Sequence, residues 1–140
     1  MSVEEIKALL PRYADVWNTK DLSIVDEIIA PDCPHHMNGP INFSGPEGFK
    51  ISLNNWFKGF PNITATIHDI VAEGDKGVVR ATLKGTHQGD LQFLGMPKAI
   101  APTGTEVEFE GTTTCRVANG KIVEVWSIAN MAWLQNLARA

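Results

Sequence analysis

The residues able to do chemistry in this chain are few. Among four histidines, His36 and His87 are the candidates for moving a proton, because an imidazole titrates near pH 6.5 without perturbation. Each either faces a pocket or hydrogen-bonds backbone at a turn. His35 is expected to face solvent or an interface rim, and His68, beside Asp69, to be a satisfied surface residue. Asn130 could offer its amide to a carbonyl or enolate oxygen, or cap the helix that follows it. Tyr13 is the only tyrosine; it either packs in the core or points its hydroxyl inward. Trp17 and Trp126 are expected to line an apolar pocket, with Trp56, Trp133, Phe49, Phe60 and Phe93 left to packing. Arg80 is expected in a structural ion pair. Cys33, His35 and His36 invite a metal, but no second cluster with zinc-like spacing follows, so metal is not expected.

These residues must be positioned by a chain of 140 residues, enough for one domain with a real core. Hydrophobic residues are 44% and charged ones 20%, an ordinary globular balance. Net charge is −4, which gives no footprint for nucleic acid. No basic run marks a membrane surface, and no apolar stretch is long enough to span one. The opening MSVEEIKALL lacks a secretory pattern, so a cytoplasmic protein with reduced Cys33 and Cys115 is expected.

Ser2-x-x-Glu5 is a capping box, followed by Ile6, Leu9, Leu10, Tyr13, Val16 and Trp17 at helical spacing. Pro11 interrupts the run and predicts a kink or a restart. Asp21 is the expected N-cap of a second helix carrying Ile24, Val25, Ile28 and Ile29 and ending before Pro31. Cys33 to Met37 is too short and polar to assign. Ser44-x-x-Glu47, with Pro46 in the first turn, opens a third helix with Phe49, Leu53, Trp56 and Phe57 on one face. Alternation then takes over at Ile63, Ala65 and Ile67, and a strand returns after Glu73-Gly74-Asp75-Lys76-Gly77. Residues 88–104 read as a long loop, which in a compact domain is usually functional or mobile. Glu106, Glu108 and Glu110 alternate with Val107 and Phe109. Asn119-Gly120 predicts a hairpin, and 131–137 a terminal helix. Helices followed by strands predict an α+β domain, a curled antiparallel sheet wrapped on three helices around a pocket.

The whole chain resembles the SnoaL-like polyketide cyclases, also called predicted ester cyclases, of the NTF2-like α+β cone superfamily. The residues that carry the likeness are Val16-Trp17-Asn18, Ala30-Pro31-Asp32, His36, Gly45-Pro46-Glu47-Gly48-Phe49, Phe60-Pro61 and Arg80. They continue through Gly85-Thr86-His87-x-Gly89, Pro102-Thr103-Gly104, Arg116-Val117, Gly120-Lys121-Ile122 and Trp126. The resemblance implies a homodimeric enzyme without metal or organic cofactor. It also implies cyclase or isomerase chemistry by general acid/base catalysis on an apolar carbonyl compound. Family members place an aspartate four residues after the tryptophan of the last strand; here that position is Asn130. An amide takes up no proton at neutral pH, so the family's aldol mechanism does not carry over intact. His36 or His87 is then the expected base and Asn130 an oxyanion donor. The alternative is a non-catalytic small-ligand-binding protein. Lys98-Ala99-Ile100-Ala101 extends the loop relative to the family pattern and is expected to reshape the pocket mouth.

Overall fold

Ser2 and Glu5 close the capping box reciprocally: the Glu5 N–H donates to Ser2 Oγ and the Ser2 N–H to Glu5 Oε1, both at 3.1 Å. This starts α1 (Val3–Thr19) in a computed structural model that describes residues 2–38, 41–93 and 95–139. The helix does not restart at Pro11 but runs through it. A proline inside a helix removes one backbone bond; burial of Ile6, Leu10, Tyr13, Ala14 and Val16 on both sides of it holds the helix together. Asp21 Oδ1 accepts the Ser23 N–H at 3.0 Å, ahead of α2 (Ser23–Ile28). The unassigned His35-His36 segment is a strand, β1 (Pro34–Met37), paired with β2 (Ile41–Ser44). Then come α3 (Gly45–Gly59), β3 (Thr64–Glu73), β4 (Lys76–Thr86), β5 (Glu106–Ala118), β6 (Lys121–Ala129) and α4 (Ala132–Arg139).

The six strands lie in the order β2-β1-β6-β5-β4-β3. The sheet is mixed rather than wholly antiparallel, because β1 runs parallel to β6, with His35 opposite Val125 and His36 opposite Trp126. A four-residue strand carries too little alternation for its partner or direction to be read from pattern. Bulges between Ile67 and Asp69 and between Arg116 and Val117 help to curl the sheet. Its concave face takes every second residue of β5, with Val107, Phe109, Cys115 and Val117 buried, while Glu106, Glu108 and Glu110 are exposed.

Two asparagines join the pieces by imitating backbone. Asn18 exchanges hydrogen bonds with the N–H and C=O of Ala65 (2.7 and 3.0 Å), fixing the end of α1 to β3. Asn38 does the same to Ala129 (2.9 and 2.8 Å), fixing β1 to the end of β6. At Gly77 a Cβ would fall 2.5 Å from Leu10 Cδ1, so α1 sits on β4 at a distance only hydrogen permits. The core is two clusters. One gathers Ile6, Leu10, Tyr13, Phe49, Leu53 and Val125, the other Trp56, Phe60, Ile63, Leu91, Phe109 and Leu137; Trp17 and Phe57 pack against both. No described helix is long and apolar enough to cross a membrane.

Candidate functional site

Between the two clusters, on the concave face of the sheet, lies a cavity of about 90 Å³. Tyr13 and Trp17, one helical turn apart on α1, form one wall, and Trp56 of α3 another. The sheet contributes Met37, Val79, Leu83, Phe109, Thr113 and Ser127 among others. The lining is aromatic and aliphatic with one polar seam. Thr113 Oγ1 and Ser127 Oγ are 2.9 Å apart on paired strands, and the Tyr13 hydroxyl faces the Ser127 side chain. Burial drives the Tyr13 hydroxyl far above the ordinary tyrosine range, with the neighbouring Ser127 offsetting this only in part. Tyr13 is therefore a neutral O–H at any working pH, a donor and not a base. Its ring is held by stacking on Phe49 at 5.1 Å.

The sequence-predicted site residues are only partly brought together. Tyr13 and Trp17 line the cavity. His36 and Trp126, opposite each other on β1 and β6, lie on the other face of the sheet from His35 and Val125. There the His36 ring stacks on Trp126 at 5.7 Å, and its Nε2 meets Glu124 Oε2 at 3.0 Å, with Arg116 on the other carboxylate oxygen at 3.3 Å. His36 and Arg116 hold the Glu124 carboxyl below its usual range. Neither His36 nor Trp126 lines the cavity. Asn130 is exposed, and its Oδ1 accepts the Ala132 N–H at 3.1 Å, which is the helix-capping reading.

His87 is fully buried but sits beside the cavity, as a peg for the 88–104 loop. Its backbone N–H donates to Thr105 and its carbonyl accepts from Gly104, while Nδ1 meets the Thr103 hydroxyl at 2.9 Å and the Thr103 N–H at 3.2 Å. Its Nε2 is buried and, among the described residues, without a partner. His35 overturns its expectation of exposure. It is fully buried, between Phe43 and Phe49 at 4.5 and 4.9 Å. Burial lowers its pKa to about 4. Its place follows from strand parity: His35 shares the concave side with Val125, and its neighbour His36 must point away. His68 is exposed and bonds Thr82, and Arg80 bridges Asp69 and Glu110 at 2.6 and 3.0 Å. Cys33 and Cys115 are both free and buried.

Sequence reasoning missed Ser127 and Thr113. The available signal was parity along the closing strand: if Val125 faces the core, so does Ser127, while Trp126 does not. A larger concavity of about 340 Å³ lies outside, along Asn55, Lys58, Asp90 and Gln92. Lys58, Asp90 and Gln92 are exposed. Volume alone does not make it the better site, since no group converges there as three hydroxyls do inside.

A curled sheet backed by helices around an internal apolar cavity is the NTF2-like cone, a ligand-holding α+β fold. A solved structure described as a "Putative SnoaL-like polyketide cyclase" from Jannaschia shares it at TM-score 0.84, with 23% identity over 98% of this chain and 93% of that one. The family model of the SnoaL-like polyketide cyclases matches residues 7–136, and the chain belongs to that family. Two solved relatives stand closer in sequence. AclR, "a putative hydroxylase" from Streptomyces galilaeus, is 31% identical over 99% of this chain and 84% of its own, at TM-score 0.81. IdmH, "a putative polyketide cyclase" from Streptomyces antibioticus, is 30% identical over 96% of this chain and 98% of its own, at TM-score 0.76. No curated protein matches the chain.

Proposed function

We propose that this protein is a cofactor-independent small-molecule enzyme of cyclase or isomerase type whose site is the concave cavity. Its substrate is a small, largely apolar carbonyl compound. The carbonyl oxygen takes a hydrogen bond from Tyr13, with Ser127 and Thr113 as relay. As a base drawn from solvent, or a basic group of the substrate itself, takes the proton from the neighbouring carbon, charge moves onto that oxygen, and a fixed O–H in a dry pocket stabilises it more than water would. Removing one such donor typically costs about a hundredfold or more in rate. The observation that carries the reading is the convergence of three hydroxyls in an otherwise apolar lining.

The relatives leave room for this. One near 30% identity is described as a hydroxylase and another as a polyketide cyclase, so the pocket's own groups must decide the reaction. A second reading, a ligand-binding protein without turnover, is favoured by one observation. Among the described residues the cavity lining includes no carboxylate and no imidazole, so the base would have to come from solvent or from the substrate itself. The rate of deuterium incorporation next to the carbonyl of 1-tetralone, followed by NMR, separates the two. The enzyme reading expects exchange above the buffer rate, falling at least tenfold in Tyr13→Phe and in Ser127→Ala. Exchange at the buffer rate in the wild type, appearing only when Ser127→Asp installs a carboxylate, would establish the binding reading.

We also propose that the outer sheet face pairs with a second copy of the chain. Ile128 is 71% exposed there and lies two residues along β6 from Trp126, which makes an apolar strip unlike the charged rows of β3 to β5.

A further inference from the structure

Trp133 sits on α4, behind the Trp56 and Phe109 wall of the cavity. Its ring stacks on Phe109 at 5.3 Å, meets Trp56 at 5.9 Å, and lies edge-on to Phe60 at 5.6 Å. Trp56 and Phe109 both line the cavity. The indole Nε1 is buried and, among the described residues, has no hydrogen-bond partner. An indole N–H can only donate, and leaving a buried donor unmet is costly enough that native proteins rarely do so. The His87 Nε2 is likewise unmet among the described residues, its ring 5.6 Å from the same Phe60. Two buried nitrogens thus stand in a region where the described residues offer them no partner.

The cavity is also small. An apolar cavity of about 150 Å³ accommodates benzene, and this one measures about 90 Å³. A bicyclic ligand requires the packing around the cavity to open, and α4, which packs behind its Trp56 and Phe109 wall, is the element least attached. After the Asn130 cap, its described residues make no hydrogen bond or ion pair with another element. Its hold consists of the side chains of Trp133, Leu134 and Leu137. Short units held by few apolar contacts are the first to open locally.

We propose that α4 opens to admit ligand and that the Trp133 indole N–H is a specificity-determining donor to a second oxygen on it. The ligand class is then a fused-ring, largely apolar compound with two separated oxygen acceptors. One is for the Tyr13–Ser127 end, and the other for the Trp133 N–H in the aromatic cluster behind Trp56 and Phe109. This rests on the carbonyl-pocket reading and adds to it a second point of recognition.

The test is a ¹⁵N–¹H NMR titration of the tryptophan indole signals, with Trp133→Phe assigning the one that matters. The probes are 4-chromanone, which carries a ketone and a ring ether oxygen, and 1-tetralone, which has a methylene in place of the ether. The expected result is a downfield shift of the Trp133 indole proton as 4-chromanone saturates. Trp133→Phe should weaken 4-chromanone about 3- to 10-fold, the range of one hydrogen bond, and 1-tetralone less than twofold. An indole proton that stays put while 4-chromanone saturates signals near Tyr13 would overturn the proposal and leave the pocket reading intact. So would a resident water holding that proton both free and bound. Failure of 4-chromanone to bind the wild type at all would sink the pocket reading and this proposal with it.

Discussion

Three side chains set the behaviour expected at the residue scale. His35 is fully buried, with its pKa lowered to about 4 from 6.5. The unfolded chain therefore takes up a proton at higher pH than the folded one. Stability from this residue is full above pH 6.5, falls as the pH drops, and is spent below about 4, for a total of roughly 3 kcal/mol. Urea unfolding at pH 7 and pH 4 should show that loss. His35→Phe, which keeps a ring between Phe43 and Phe49, should remove most of this residue's share of it. Asn130 carries its weight as a cap, and aspartate caps as well as asparagine. Asn130→Asp should change stability by less than about 0.5 kcal/mol and leave tetralone exchange at the wild-type rate, both readable from one preparation. A large gain in exchange would return the site to the end of β6.

At the scale of elements, the decisive device is the junction of α3 with the long loop. The N–H groups of Gln88 and Gly89 both donate to the Gly59 carbonyl, and a Cβ at Gly89 would fall 1.9 Å from the Lys58 carbonyl oxygen. Backbone meets backbone there, so nothing flexible can yield. Gly89→Ala should cost about 2 to 4 kcal/mol and lower the thermal midpoint by several degrees. A midpoint within a degree of wild type would show that the loop reseats freely. The same junction shows what the sequence could disclose. Capping residues, the Asn119-Gly120 turn and the Glu106-Glu108-Glu110 alternation place helices and long strands from local rules alone. The four-residue β1 obeys no local rule; it is ordered by its partners β2 and β6, and with it went the expected exposure of His35. The cavity was expected, but its polar seam was not. Ser127 and Thr113 meet only because β5 and β6 pair in one register, and register is a property of two strands. Trp126, expected to line the pocket, is sent outward with His36 by strand parity.

At the scale of the molecule, the sheet has two faces with separate tasks. The concave face holds the cavity. The convex face carries the His36–Glu124–Arg116 group, Trp126 and the exposed Ile128, and a second copy is its proposed cover. Ile128→Lys should convert a dimer to a monomer in light scattering; a wild-type protein that is monomeric at tens of micromolar would contradict this.

The central claim is that the hydroxyls of Tyr13, Ser127 and Thr113 recognise a carbonyl oxygen inside the cone. The most direct measurement is calorimetric titration of wild type and Tyr13→Phe with 1-tetralone and with tetralin, the same bicycle without its oxygen. The account predicts that wild type prefers 1-tetralone about 5- to 50-fold, and that Tyr13→Phe erases most of this preference while keeping its affinity for tetralin. Equal affinity of wild type for the two compounds, or a preference that survives Tyr13→Phe unchanged, would contradict it.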